Sequence, residues 1–151
     1  MRLEDLHENG TFASLKLDEP SKDVISYLSE LLEVHNPIHK DDYHTTLIYS
    51  RKPCPDAVEH HGKEIQLNGI IDNLIKWPSK SGTTCLVASV NSDELIKLNR
   101  HFTTKYGATS DYPEYKPHIT LSYDCDDKEY CLPDIIPIKF TTIHVESLKE
   151  E

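Results

Sequence analysis

The sequence predicts an α+β fold with antiparallel sheets, arranged as two sheet lobes related by a pseudo-two-fold axis with one cleft between them. Two observations carry this expectation. Strand-like runs outnumber the two segments with helical periodicity. A strand–helix–strand order also occurs twice at nearly equal length, with 33 residues separating Thr11 from His44 and 34 separating Thr84 from His118. At 151 residues the chain fits one domain over 1–151, with repeat halves at about 10–50 and 83–124.

The first half opens with Gly10–Leu17, a strand of alternating character. Pro20-Ser21 starts a helix with Ser21 as N-cap, and Val24, Ile25, Leu28, Leu31 and Leu32 form its apolar stripe up to Asn36-Pro37. Tyr43–Ser50 is the next strand. In the second half Thr83–Val90 is a strand, and Asn91 with Glu94 reads as a capping box. Leu95, Leu98, Phe102 and Tyr106 give a helical stripe that Gly107 terminates, and His118–Tyr123 is the closing strand. Between the halves, Glu64–Leu67 and Ile70–Trp77 read as two strands of a hairpin around Asn68-Gly69. Ile138–Ser147 is a final strand.

Composition narrows the partners. The chain has 16 Lys and Arg against 26 Asp and Glu, a formal net charge of −10. Proteins that track long nucleic acids draw affinity from cations that neutralise phosphates, so that role is disfavoured, while a small anionic ligand in a focused cleft stays open. No apolar run is long enough for a membrane span, and Met-Arg-Leu-Glu-Asp carries no apolar signal region, so the expectation is a soluble cytoplasmic protein without a membrane partner. Cys54, Cys85, Cys125 and Cys131 form no CxxC pair and read as reduced thiols. Nothing fixes an oligomeric state; a monomer is the default.

Each half ends in a His-x-Thr strand: His44-Thr45-Thr46-Leu47 and His118-Ile119-Thr120-Leu121. Alternation places His44 with Thr46 on one face, joined by Ile48, and Thr45, Leu47 and Tyr49 on the other. In the second copy His118, Thr120 and Ser122 face one way, and Ile119, Leu121 and Tyr123 face the core. Cleaving a phosphodiester in line requires a base for the attacking oxygen and an acid for the leaving oxygen. Two histidines across a cleft supply both near neutral pH, and the threonine hydroxyls can donate to the non-bridging oxygens. This arrangement requires neither metal nor cofactor. A metal site using His44, His118 and a carboxylate is the other chemistry these residues allow, although neither strand offers a second ligand beside its histidine.

The paired motifs in their repeated frame resemble the 2H phosphoesterase superfamily. Asn9–Leu15, Asp42–Arg51 and Lys116–Leu121 further resemble the bacteriophage anti-CBASS nucleases, which degrade the cyclic di- and trinucleotide signals of bacterial immunity. The resemblance spans nearly the whole chain. It implies a two-lobed fold, a small cyclic oligonucleotide as substrate and action in the host bacterial cytoplasm. It implies His44, Thr46, His118 and Thr120 as catalytic residues. Phe12 falls where a base-stacking aromatic is expected, although a tyrosine is expected there. Trp77 matches a second stacking aromatic, and Glu146 a carboxylate that touches the ligand. Each has a plainer reading as well: core packing for Phe12 and Trp77, a solvent-facing strand for Glu146.

Asp111–Pro117, with two tyrosines and two prolines, reads either as a stiff loop over the cleft, bringing Tyr112 to the ligand, or as a plain connection. Arg51 and Lys52 read as phosphate neighbours or as solvated charges. Three rival functions remain: a 2′,3′-cyclic phosphodiesterase acting on RNA ends, a sponge that sequesters cyclic nucleotides uncut, and a structural or partner-binding protein.

Overall fold

A computed structural model describes residues 9–79 and 81–148. Its elements follow the expected order: β1 (Thr11–Leu17), α1 (Glu19–Leu31), β2 (His44–Ser50), β3 (Glu64–Pro78), β4 (Thr84–Asn91), α2 (Asp93–Tyr106), β5 (His118–Ser122) and β6 (Ile136–Ser147). Short 3-10 turns lie at Lys40–Asp42 and Pro55–His60. All six strands pair antiparallel and follow one another around as β1-β2-β5-β4-β3-β6, closing on β1.

The pseudo-two-fold repeat is visible in the pairing. β1 lies between β2 and β6, as β4 lies between β5 and β3. The halves meet where β3 runs along β6, and again at one residue pair, Thr45 with Ile119, between β2 and β5.

Both helices begin one residue or more from the expected cap. Asp18, not Ser21, caps α1, because its carboxylate accepts the Ser21 N–H while Pro20 occupies the first turn without needing a partner. Ser92, not Asn91, caps α2 and accepts the Leu95 N–H, and Glu94 instead accepts the Asn68 N–H. On α1 the buried stripe is Ser21, Ile25, Leu28 and Ser29, whereas Val24 and Leu31 are exposed. The helix ends at Leu31, ahead of Asn36-Pro37, and Glu33 and Asn36 both take positive φ in the turn that follows. Gly107 ends α2 in the left-handed conformation, as its sequence position predicts.

Asn68-Gly69 is not a hairpin turn. β3 is one continuous strand of 15 residues, and Asn68 and Gly69 pair with Lys139 and Ile138 of β6. The glycine serves close packing: a Cβ there would stand 3.0 Å from Val90 Cγ1. At Ile70 and Ile71 the strand passes from β6 to β4, so one long strand serves both halves.

One sheet face, with Ala13, Leu15, Leu17, Leu47, Ile119 and Leu121 fully or almost fully buried, packs with Ile25 of α1 and Leu95 and Phe102 of α2 into one core. The opposite face carries the histidines. Among the described residues no helix is long and apolar enough to cross a membrane. All four cysteines are free thiols.

Candidate active site

The motif strands contain a device that alternation alone does not reveal. β1 pairs Ala13 with Ile48 and Ser14 with Thr46, so Leu47 is an extra residue, a β-bulge. β4 pairs Leu86 with Ser122 and Val87 with Thr120, so Leu121 bulges in the same way. Each bulge shifts the phase of the strand by one residue. Ile48 therefore joins Leu47 in the core instead of sharing the His44 face, and Ser122 is buried instead of sharing the His118 face. Tyr49, expected on the face opposite His44, and Tyr123, expected in the core, are 47% and 57% exposed and stand on the histidine face. Both are residues that strict alternation misplaces.

A bulge leaves a ladder carbonyl without its regular partner, and each is satisfied from the other half. Leu47 O accepts from Asn99 Nδ2 of α2 at 2.8 Å, and Leu121 O accepts from Ile38 N, beyond α1, at 2.9 Å. The strand ends are braced reciprocally as well. Ser122 Oγ donates to His35 O at 2.7 Å, and Ser50 Oγ accepts the Thr109 N–H at 3.0 Å.

Ahead of the bulges the alternation holds. Thr45 and Ile119 are fully buried, while His44, Thr46, His118 and Thr120 are half-buried on the opposite face. Pairing of Thr45 with Ile119 in antiparallel register sets His44 across from Thr120, and Thr46 across from His118. The four motif residues thus form a square, with histidines on one diagonal and threonines on the other.

The imidazoles are held alike. His44 Nδ1 donates to Asp42 O at 3.0 Å, and His118 Nδ1 donates to Lys116 O at 2.9 Å. A carbonyl can only accept, so Nδ1 carries a proton in both rings and Nε2 is the nitrogen left for a ligand. Burial pushes the His118 pKa below the ordinary imidazole value, and the neighbouring His44 adds to that against the opposing Lys116 carbonyl. The buried hydroxyl of Tyr115, in the loop before β5, donates to Thr46 O at 2.8 Å and fixes the first motif from the second half.

The remaining predicted site residues divide. The Trp77 ring lies 4.4 Å from the His118 ring at 66°, and the Phe12 ring lies 6.2 Å from both His44 and Tyr49, edge to face. Glu146 pairs with Phe12 on β1, and Trp77 pairs with Cys85 on β4, so Glu146 and Trp77 occupy equivalent positions in the two halves. Tyr112 is 73% exposed, and its N–H bonds only locally, to Ser110 Oγ. Its loop is anchored to the end of β2 by Arg51, whose guanidinium grips Asp111 through Nε and Nη2 at 3.0 Å. Arg51 therefore has a carboxylate partner, and Tyr115 makes the loop's contact with the first motif. Among the described residues no group of three or more His, Cys, Asp or Glu side chains gathers closely enough to hold a metal ion.

The model of the family described as "Anti-CBASS protein Acb1" matches residues 9–151. The Anti-CBASS protein Acb1 of Vibrio phage KVP40 is 33% identical over 119 residues, covering 79% of this chain and 76% of the relative. That of Salmonella phage S16 is 31% identical over 149 residues, covering 99% and 94%. In fold, the chain is similar to E. coli LigT complexed with 3′-AMP, with a TM-score of 0.58 and 16% identity over 93% of this chain and 95% of that one. It is also similar to the crystal structure of a phosphoesterase, with a TM-score of 0.56, 15% identity and coverage of 94% and 99%.

Proposed function

Since this chain belongs to the Anti-CBASS protein Acb1 family, we propose that it is a phosphodiesterase that opens small cyclic oligonucleotides at a 3′–5′ bond without a metal ion. Its substrates are the cyclic di- and trinucleotide signals of bacterial CBASS immunity, such as 3′,3′-cGAMP, and their destruction evades that defence. The observation that carries the mechanism is the pair of Nδ1 bonds to main-chain carbonyls, which leaves two Nε2 atoms on one diagonal of the square.

The scissile phosphate sits over the square. His118, already biased toward the neutral ring, takes the proton of the ribose 2′-hydroxyl through Nε2, and that oxygen attacks phosphorus. His44 delivers a proton to the leaving 5′ oxygen. A bond from O2′ to phosphorus forms and the bond to O5′ breaks, leaving a 2′,3′-cyclic phosphate end on an opened ring. Thr46 and Thr120, on the other diagonal, donate to the non-bridging oxygens as charge develops there. Fixing 2′-oxygen, phosphorus and 5′-oxygen in line supplies much of the acceleration, on the order of 7–11 kcal/mol when orientation is complete. Trp77 and Phe12 flank the two histidines as flat apolar walls suited to bases, where stacking contributes about 1–3 kcal/mol each.

The test is incubation with a panel of cyclic dinucleotides and a 2′,3′-cyclic phosphate RNA, with products read by mass. Ring opening supports the proposal. Turnover of the RNA end alone replaces it with the RNA-end phosphodiesterase, and tight binding of uncut ring replaces it with a sponge.

A further inference from the structure

Beside the histidine square, the same sheet face gathers basic groups that this reaction does not use. Lys16 on β1 pairs with His44 on one side and with Thr142 of β6 on the other. It alternates with Phe12 and Ser14, while Ala13, Leu15 and Leu17 fill the core, so its side chain rises on the histidine face. One step along the register, His144 of β6 pairs with Ser14, and the His61 ring stands 5.6 Å from the His144 ring. His61 Nδ1 accepts the Val145 N–H at 2.9 Å, which puts the neutral ring's proton on Nε2 as a free donor.

Lys16 is half-buried and has no ion-pair partner among the described residues. In a chain of net charge −10, a half-buried lysine without an acidic partner is a natural place for an anion. Burial chiefly lowers the His144 pKa, and the nearby Lys16 charge lowers it further, so the two groups lie close enough to meet one anion. Glu146 lies further out on β6, is exposed, and acts on His144 in the opposite sense.

We propose that Lys16, His144 and His61 form a second phosphate subsite, which takes a non-scissile phosphate of the ring while the square holds the phosphate that is cut. The subsite rests on the phosphodiesterase reading above. His144 on β6 lies two strands from His44 on β2, about 9–10 Å away at ordinary strand spacing, with Lys16 on β1 between them. Every ring of two or three nucleotides carries one phosphate per nucleotide and always offers a second anion. A linear dinucleoside monophosphate offers only one. The subsite thus selects for rings, and its position on the β6 side sets how a ring lies across the square.

The experiment compares kcat/KM for 3′,3′-cGAMP with kcat/KM for a linear dinucleoside monophosphate, in the unaltered protein and in Lys16→Gln, Lys16→Arg and His144→Gln. Losing a charged hydrogen bond to phosphate lowers the ring-to-linear ratio about 10- to 100-fold in Lys16→Gln, less in His144→Gln, with substantial recovery in Lys16→Arg. Equal losses on both substrates overturn the subsite and assign Lys16 to the scissile phosphate. No loss on either overturns it and makes Lys16 a solvated charge. If the unaltered protein cuts neither substrate, the phosphodiesterase reading fails by itself. Calorimetric titration with the same two compounds then decides the subsite: Lys16→Gln weakens binding of the ring alone, or the subsite is wrong.

Discussion

Asn99 of α2 donates its side-chain amide N–H to the main-chain carbonyl oxygen of Leu47 at 2.8 Å, and Leu47 is the residue that bulges from β2. Replacing Asn99 with leucine leaves that carbonyl partly buried and unpaired, at a cost of about 1–3 kcal/mol. Because Leu47 follows Thr46 directly, the loss extends to the placement of the motif. The expected outcome is a lower melting temperature together with a fall in kcat, and restored kcat in Asn99→Gln is not expected, since the longer side chain overshoots. A melting curve and a kcat both unchanged in Asn99→Leu count against the brace.

Removing either imidazole tests the square directly. His44→Ala and His118→Ala each lose roughly 10²- to 10⁴-fold in kcat while circular dichroism stays native, because both side chains are only half-buried. A ring built from 2′-deoxynucleotides binds but resists cutting. Equal turnover of ribo and deoxy rings points to direct attack by water.

Three histidines make the fold sensitive to acid. Burial holds His118, His60 and His144 below the ordinary imidazole pKa in the folded chain. The unfolded chain, titrating near 6.5, therefore takes up protons first as pH falls. The stability these groups contribute is fully present above about pH 6.5 and is lost as pH falls through the depressed folded values. Melting temperature should drop from pH 7.5 to pH 5, with a shallower drop in His60→Gln. A flat profile over that range contradicts the burial of these rings.

Trp77 is the only tryptophan in the chain, and its ring lies 4.4 Å from that of His118. An imidazolium quenches indole emission at contact, so Trp77 fluorescence reports the protonation of His118. The expected titration has its midpoint below the ordinary histidine value, and it disappears in His118→Ala. A midpoint above that value refutes the assignment of His118 as the group that begins neutral.

Gly10 is fixed by close approach. A Cβ at this position would stand 2.2 Å from Ser50 O and 2.8 Å from Leu148 Cδ1. Gly10→Ala forces β1 away from the end of β2 and costs about 1–3 kcal/mol, measurable as a shift of the urea midpoint. The same substitution at Gly62 meets nothing within 4 Å and is strained only through its φ of 77°.

The repeat and its two His-x-Thr strands were legible because equal spacing and strand alternation are properties of the sequence itself. Tyr49, Tyr123 and Ser122 were not, because a bulge depends on the partner strand and leaves no mark in the bulged one. Asn68-Gly69 has the composition of a turn, yet pairing with β6 and the tight approach of Val90 hold it extended. The caps moved because Asp18 and Ser92 reach the right N–H groups, a matter of geometry within a stretch where several residues qualify. Lys16 could have been found: Phe12, Ser14 and Lys16 alternate against Ala13, Leu15 and Leu17, which already puts a cation on the Phe12 face. Asn99 carried no such signal, since its partner lies 52 residues away in sequence.

The reciprocal hold of each half on the other half's bulged strand bears on how the molecule comes apart. β2 and β5 share a single residue pair, so without Asn99, Ile38, Ser122 and Ser50 the seam through the square would be its weakest line. With them, neither half retains its own histidine geometry once the other is lost. The two halves should melt as one cooperative unit, with calorimetric and van't Hoff enthalpies equal. A chain severed between Pro78 and Thr84 should regain activity only when both fragments are mixed.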